Sequence, residues 1–371
     1  MRTTPNIGSW VRRSPRLAVM QHNTPERVGA AVGAAMERLS HSVEPIAGPR
    51  LDLLEPLSVL ASKGKRMRST LLMMSHTAAG GGREDVALRV AAALELFQVA
   101  ALVHDDVLDG SDTRRGLPST HRVIEGLHMA QGWRGDAGRF GTGGAILAGD
   151  LALMACMGEL VAALTGVDGP VAAAVGERFT EMATVCTAGQ YLDLRLAALP
   201  FEKLENEREA IETVMRAKTA SYTTVGPLAL GAALAGCSAA TVDAWAAVGL
   251  PLGVAFQLRD DVLGVIGSES ETGKPAGDDV REGKRTLLLA HALASSGHED
   301  RERIGSAVGG DVKAVADAVD VLVRSGAIDA AEDEISRLAS EAKSGLEAIP
   351  MDATIRAELV ELFEAMSARA S

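Results

Sequence analysis

Two aspartate clusters are the residues of this chain best suited to do chemistry. The first is Asp105-Asp106-Val107-Leu108-Asp109 and the second is Asp260-Asp261-Val262-Leu263-Gly264. Asp105 and Asp109 are four residues apart, so a helix stacks them on one face, one turn apart. Like charges at that spacing lower helix stability by roughly a few tenths of a kcal/mol, so something should offset them. A hard divalent cation does so, and magnesium characteristically bridges one or two carboxylates to phosphate oxygens while keeping several waters. Both clusters close apolar stretches, and each has a glutamine upstream, Gln98 and Gln257. Each leads into a loop with cations: Arg114 and Arg115 after the first, Lys274 and Lys284 after the second. Either cluster alone reads equally as a solvated acidic helix end. Two of them, each with the same companions, do not.

Further polar candidates lie elsewhere. GKRMR at 64–68 brings Lys65, Arg66 and Arg68 together; alone it reads as an exposed basic turn. Lys218 and Thr219 sit in AKTASYT, and Gln190 and Asp193 share a helix face in GQYLDL. His104 is expected to pack or hydrogen-bond, and His121 and His128 to be loop or surface residues. Cys156, Cys186 and Cys237 are far apart and lack metal-ligand spacing. They read as small buried hydrophobes in a reducing compartment, and the expected location is cytoplasmic.

The elements that must position these residues are helices. Of the 371 residues 47% are hydrophobic and only 3% aromatic, a mix that favours helix over strand. Helical periodicity runs through 27–45, 51–62, 67–79, 84–110, 144–165, 169–199, 202–217, 219–236, 239–267 and 284–296, with more charged, peripheral helices over 300–371. Loops are expected at 111–120, at 131–143 with its five glycines, and at 268–283. Residues 1–25 read as a flexible N-terminal extension and 26–371 as one all-α domain, a large helical bundle around a central cavity. The net charge of −12 and the absence of a Lys/Arg-rich run argue against nucleic-acid binding. No uncharged apolar run reaches the ~18 residues of a bilayer span, so no membrane span is expected.

In this order HDDVLDGSDTRRG and QLRDDVLG resemble the two Asp-rich motifs of the polyprenyl (isoprenyl diphosphate) synthase family, and of bacterial geranylgeranyl diphosphate synthases within it. The similarity runs over 30–300 and takes in GKRMR, GQYLDL, AKTASYT and TGKPAGDDVREGK. It implies a fold of isoprenoid synthase type and a prenyltransferase that condenses an allylic diphosphate with isopentenyl diphosphate. It also implies a homodimer and about three magnesium ions per site. Asp105 and Asp109 would hold two of these and Asp260 the third, with Asp106, Gln190, Asp193, Asp261 and Asp279 one shell further out. Arg114, Lys218 and Lys274 would contact the allylic diphosphate, with Thr219, Gln257 and Lys284 beside them. Lys65, Arg66, Arg68, Gln98 and Arg115 would take the diphosphate of the second substrate.

Two positions depart from the family pattern. Gly264 stands where many members have a third aspartate, and Ser69 where proline commonly follows the basic motif; the latter is expected to alter only the local turn. Product length, by the same resemblance, depends on the turns below Asp105. Ala100 and Ala101 leave room where aromatics would stop growth, and Phe97 one turn deeper would form the floor. This predicts a twenty-carbon product. The rival readings are a class I terpene cyclase, which has no use for the second cationic group, and a non-catalytic subunit of a prenyl synthase.

Overall fold

The structure is a computed structural model that describes residues 24–47, 52–268 and 276–368. It is built of helices. They are α1 (Thr24–Ala47), α2 (Leu54–Ser62), α3 (Met67–Ala78), α4 (Glu84–Leu108), α5 (Thr120–Ala130), α6 (Ala137–Leu164) and α7 (Gly169–Ala197). After a 3-10 turn at Phe201–Asn206 come α8 (Arg208–Val214), a π-helix at Met215–Val225, α9 (Gly226–Leu234) and α10 (Ala239–Ile266). The chain continues through α11 (Asp278–Arg281), α12 (Leu287–Ser295), α13 (His298–Ala307), α14 (Val312–Arg324), α15 (Ala327–Glu347) and α16 (Ala353–Ser367). The all-α expectation holds. The flexible extension expected over 1–25 falls mostly outside the described residues, and α1 already begins at Thr24.

The described residues form two compact units, one of residues 24–176 with 231–236 and one of 177–230 with 237–368. In the first, α4 packs along α6, with α1 and α3 against α4 and α5 against α6. Leu94, Leu96, Val99 and Val103 of α4 are buried. The apposed face of α6 is made of small residues, with Ala145, Ala148 and Ala152 fully buried. In the second unit, α10 packs against α15 and the π-helix. Its core joins Leu258, Val262 and Val265 of α10 to Leu288 and Leu289 of α12, Leu322 of α14 and Ile335 of α15.

The structure corrects several expectations. The 131–143 segment is half helix: α6 starts at Ala137, capped by Asp136, which accepts a hydrogen bond from the Arg139 N–H at 2.6 Å. One of its glycines, Gly141, serves packing, as does Gly144 just beyond the segment. A Cβ on Gly141 would overlap the backbone of His121, and one on Gly144 would press on Ile124 at 2.8 Å. Residues 120–130 are helical, and His121 and His128 are buried. His121 Nδ1 lies 3.1 Å from Ser119 Oγ, while His128 packs between Trp133 and Phe140. The 111–120 loop contains a two-stranded hairpin, β1 (Thr113–Arg114) and β2 (Leu117–Pro118). Cys156 and Cys186 are free and buried as read, whereas Cys237 is half-buried.

The expectation that no segment could span a bilayer also needs correcting. Glu84–Leu108, Ala137–Leu164 and Ala239–Ile266 are long and apolar enough by length and composition. A search for uncharged runs passes over them because isolated charges such as Arg89 and Glu95 interrupt the sequence. In α4, 78% of the most apolar window is buried inside the fold, so its apolarity is used in packing.

Candidate active site

The first acid cluster forms the C-terminal turn of α4. Asp109 is the C-cap, its N–H bonded to the Asp105 carbonyl at 2.8 Å. Gly110 follows with φ +65°, and the Ser111 N–H returns to the Asp106 carbonyl at 2.9 Å. This is a Schellman closure, and it ends the helix at Asp109 itself. Three carboxylates therefore crowd the negative end of the helix dipole, where cations are stabilising and anions are not.

One of the offsetting cations is Arg114. Its Nε donates to Asp106 Oδ1 at 2.7 Å and its Nη2 lies 3.3 Å from Asp105 Oδ2. The hairpin aims it there. Arg115 and Gly116 both have positive φ, +54° and +74°, as a two-residue type I′ turn requires. Asp106 is 1% exposed, and burial raises its pKa against the opposing pull of Arg114. Its Oδ2 is buried without a hydrogen-bond partner. Burial works against the Arg114 charge, but Asp106, Asp105 and Asp109 outweigh it and raise its pKa.

Below this turn lies a group of cations. Arg115 donates to the Lys63 carbonyl at 2.6 Å and the Leu60 carbonyl at 3.2 Å. Its guanidinium covers Gly64, where a Cβ would stand 3.1 Å from both terminal nitrogens. Burial lowers the Arg115 pKa; Glu95 opposes this, and Arg66, Arg68 and Arg114 add to it. Lys65 is exposed on the loop above. Gln98 is 7% exposed, with Oε1 buried and lacking a partner.

Arg66 is a correction to the expected diphosphate contacts. It is buried, bonded through Nη1 to Glu95 Oε2 at 2.9 Å and through Nη2 to the Ala61 carbonyl, so the fold itself occupies its guanidinium. Glu95 was missed in the sequence, although it is the one acid inside VAAALELFQVAALV. His104 packs as expected, with Nε2 3.2 Å from the Ile146 carbonyl over Gly149.

In the second unit the polar residues form a chain. Thr219 Oγ1 donates to Gln257 Oε1 at 2.6 Å, and Gln257 Nε2 donates to Asp261 Oδ1 at 2.8 Å. Lys284 Nζ donates to the same Oδ1 at 3.1 Å and to Asp279 Oδ2 at 3.0 Å. Asp261 is 3% exposed, and burial raises its pKa, with Lys284 opposing. Burial disfavours the Lys284 charge, yet Asp261 and Asp279 hold its pKa well above the ordinary value. Thr219, Gln257 and Lys284 were expected at the substrate; here their polar atoms hold Asp261. Asp260, half-buried, is its neighbour on α10.

Lys218 Nζ donates to Asp193 Oδ2 at 2.6 Å, and Gln190 lies one turn before Asp193. Lys218 and Thr219 ride on the π-helix, a rare form found often at functional sites. Its width is accommodated by glycines: a Cβ on Gly189 would overlap the Lys218 backbone, and one on Gly253 would stand 2.6 Å from Ala220 Cα. Lys274 lies outside the described residues.

Among the described residues no three His, Cys, Asp or Glu side chains already converge on one point. Among the described residues there is thus no preformed all-protein cage. This suits magnesium, which is held by one or two carboxylates with substrate phosphates and water completing the shell. The Asp105 and Asp109 pair fits that description.

Comparison with known proteins places the chain among similar sequences and structures. The family model for polyprenyl synthetase matches residues 52–324. A short chain isoprenyl diphosphate synthase of Methanothermobacter thermautotrophicus is 33% identical over 296 residues, 80% of this chain and 83% of that one. A geranylfarnesyl diphosphate synthase of Aeropyrum pernix is 30% identical over 332 residues, 88% of this chain and 95% of that one. The crystal structure of a geranylgeranyl pyrophosphate synthase from Corynebacterium glutamicum, complexed with isoprenyl diphosphate and magnesium, superposes with a TM-score of 0.84 at 36% identity, covering 93% of this chain and 99% of that one.

Proposed function

The chain belongs to the polyprenyl synthetase family and is a prenyltransferase, and from that premise we propose that it is a magnesium-dependent geranylgeranyl diphosphate synthase. The observation that carries the reading is the position of Arg115, bonded to the Leu60 and Lys63 carbonyls at the turn that leads into Lys65 and Arg68, and one hairpin turn from the Asp105 and Asp109 pair. An enzyme acting on one diphosphate needs the acid pair alone. One that joins two diphosphates needs a second anion site, and the arginines supply it.

Magnesium, when bound, would neutralise negative charge as it develops on the leaving diphosphate. Asp105, Asp109 and Asp260 would hold it. By family resemblance Arg114 and Lys218 would contribute positive charge to the leaving group, and Arg114 is pre-oriented by Asp106. Lys274 belongs with them by family resemblance. Lys65, Arg68, Arg115 and Gln98 bind the diphosphate of isopentenyl diphosphate. The allylic C–O bond breaks, the isopentenyl double bond attacks the resulting cation, and one proton leaves to the released diphosphate.

The turns below Asp105 support a twenty-carbon product. Ala101, partly exposed, is one turn before Asp105, and Phe97 is one turn before Ala101 and 6% exposed. A turn rises ~5.4 Å, near the length of one isoprene unit. Ala100 is 1% exposed and sits one turn before His104 on the α6 side, so we assign the length-setting role to Ala101 and Phe97.

A homodimer is supported by the outward face of α6. Leu147, Met154 and Val161, spaced seven apart, are 57%, 61% and 63% exposed. An apolar stripe of that length is the kind of surface that a second copy covers. The functional reading is tested by consumption of isopentenyl diphosphate in the presence of an allylic diphosphate, with magnesium and with a chelator. Turnover of an allylic diphosphate alone would contradict it.

A further inference from the structure

The hairpin that carries Arg114 and Arg115 cannot hold its shape alone. Its strands are two residues each, and an isolated two-stranded hairpin is marginal in water. None of residues 112–118 is buried, so no core of its own supports it. Arg115 turns with φ +54°, a conformation that is unfavourable for an L side chain and persists only where the surroundings enforce it. On the side of α4 the chain enters from the closed helix end at Asp109 and Ser111. On the other side the enforcing residue is Ser119. Its N–H donates to the Asp112 carbonyl at 2.9 Å and closes the base of the hairpin.

Ser119 is also the N-cap of α5, where a serine hydroxyl ordinarily accepts from a backbone N–H of the first turn. Here the hydroxyl makes no capping bond. It lies 3.1 Å from His121 Nδ1 instead, and both residues are buried. His121 is held from behind as well. Its carbonyl lies against Gly141 of α6, where a Cβ would overlap it. The helix start thus leaves its cap unmade, and the hydroxyl ties the base of the hairpin to a buried imidazole.

We propose that Ser119 and His121 are positioning residues for prenyl transfer: together they fix the base of the arginine hairpin to α5, and so set where Arg114 and Arg115 meet the two diphosphates. Their effect is exerted through the two arginines. The inference deepens the functional reading above and rests on it for the kinetic part of its test.

The test measures kcat and the KM for isopentenyl diphosphate in wild type, Ser119→Ala, His121→Leu and His121→Asn, each also in an Arg115→Ala background. Hydrogen exchange over residues 112–119 is followed in the ligand-free protein. Ser119→Ala and His121→Leu should each raise that KM about three- to tenfold, the range that corresponds to the net worth of one hydrogen bond. His121→Asn, whose amide can meet the hydroxyl where Nδ1 did, should restore most of the loss. In the Arg115→Ala background His121→Leu should add nothing to the KM, because the group it positions is gone. A pair with an architectural role alone would lower the unfolding temperature and the active fraction and leave the KM as it was. An unchanged KM in His121→Leu, or a loss fully additive with that of Arg115→Ala, would overturn the proposal. Exchange over 112–119 should quicken in both Ser119→Ala and His121→Leu; unchanged protection would overturn it as well. Should His121→Leu fail to fold, Ser119→Ala in the two backgrounds carries the same comparison. Wild type that consumes no isopentenyl diphosphate would refute the functional reading, and the exchange comparison would still decide whether the pair holds the hairpin.

Discussion

Ser69 Oγ lies 2.7 Å from Glu95 Oε1, joining the start of α3 to the middle of α4. The other oxygen of Glu95 accepts from Arg66, and the side chains of that pair are 8% and 5% exposed. Ser69 Oγ also lies 2.9 Å from the Arg66 carbonyl, so the one hydroxyl stands between that carbonyl and the Glu95 carboxylate, with the shorter contact to Glu95. The serine that replaces the family's proline therefore does more than shape a turn. It helps hold a buried carboxylate beneath the cations of the basic motif.

Removing Glu95 leaves Arg66 buried and unpaired. Glu95→Ala should destabilise by about 3–5 kcal/mol, as breaking other buried pairs does. Ser69→Ala should cost about 1–2 kcal/mol. Urea unfolding checks both, and a Glu95→Ala loss no larger than that of Ser69→Ala would contradict the assignment.

Arg114 contacts two carboxylates through a planar fork that lysine cannot reproduce. Arg114→Lys should lower kcat about tenfold or more while leaving the KM for isopentenyl diphosphate within about twofold. Steady-state kinetics separate the two constants. A raised KM with unchanged kcat would move Arg114 to the other substrate.

His76 is 2% exposed, and burial holds its imidazole below the ordinary value of 6.5, with Glu84 opposing. The unfolded chain thus binds a proton that the folded chain resists. The stability this supplies is complete above 6.5 and is lost as pH falls through the lowered folded value. The unfolding temperature should drop as pH falls from 7 to 5, and His76→Gln should flatten that slope. Parallel curves would contradict this.

Much of this was legible in the sequence. The helix expected over 239–267 is Ala239–Ile266, because Ser238 caps one end and Gly267 the other of an uninterrupted apolar pattern. The acids and cations of the first cluster were legible for the same reason: fixed spacing on a helix and a short turn. The remainder depends on neighbours distant in sequence. Gly141 looks like a loop residue until α5 lies on it. The π-helix depends on Gly189 and Gly253, far from it in the chain. The engagement of Arg66 by Glu95 and of Lys284 by Asp261 and Asp279 could not be read from residue type, since a cation bound to a carboxylate and one awaiting a phosphate look alike in sequence.

Product length gives a further prediction. Ala101→Phe should shorten the product by one isoprene unit, to fifteen carbons, and Phe97→Ala should lengthen it. Chromatography of the dephosphorylated products reads both. An unchanged spectrum in Phe97→Ala would remove Phe97 from the floor.

The most direct measurement supplies purified protein with magnesium, isopentenyl diphosphate and a fifteen-carbon allylic diphosphate, and sizes the alcohols after dephosphorylation. The account predicts a dominant twenty-carbon alcohol, formed only when both substrates are present and abolished by chelation. A hydrocarbon or cyclic product from the allylic diphosphate alone, or no elongation of any primer, would contradict it.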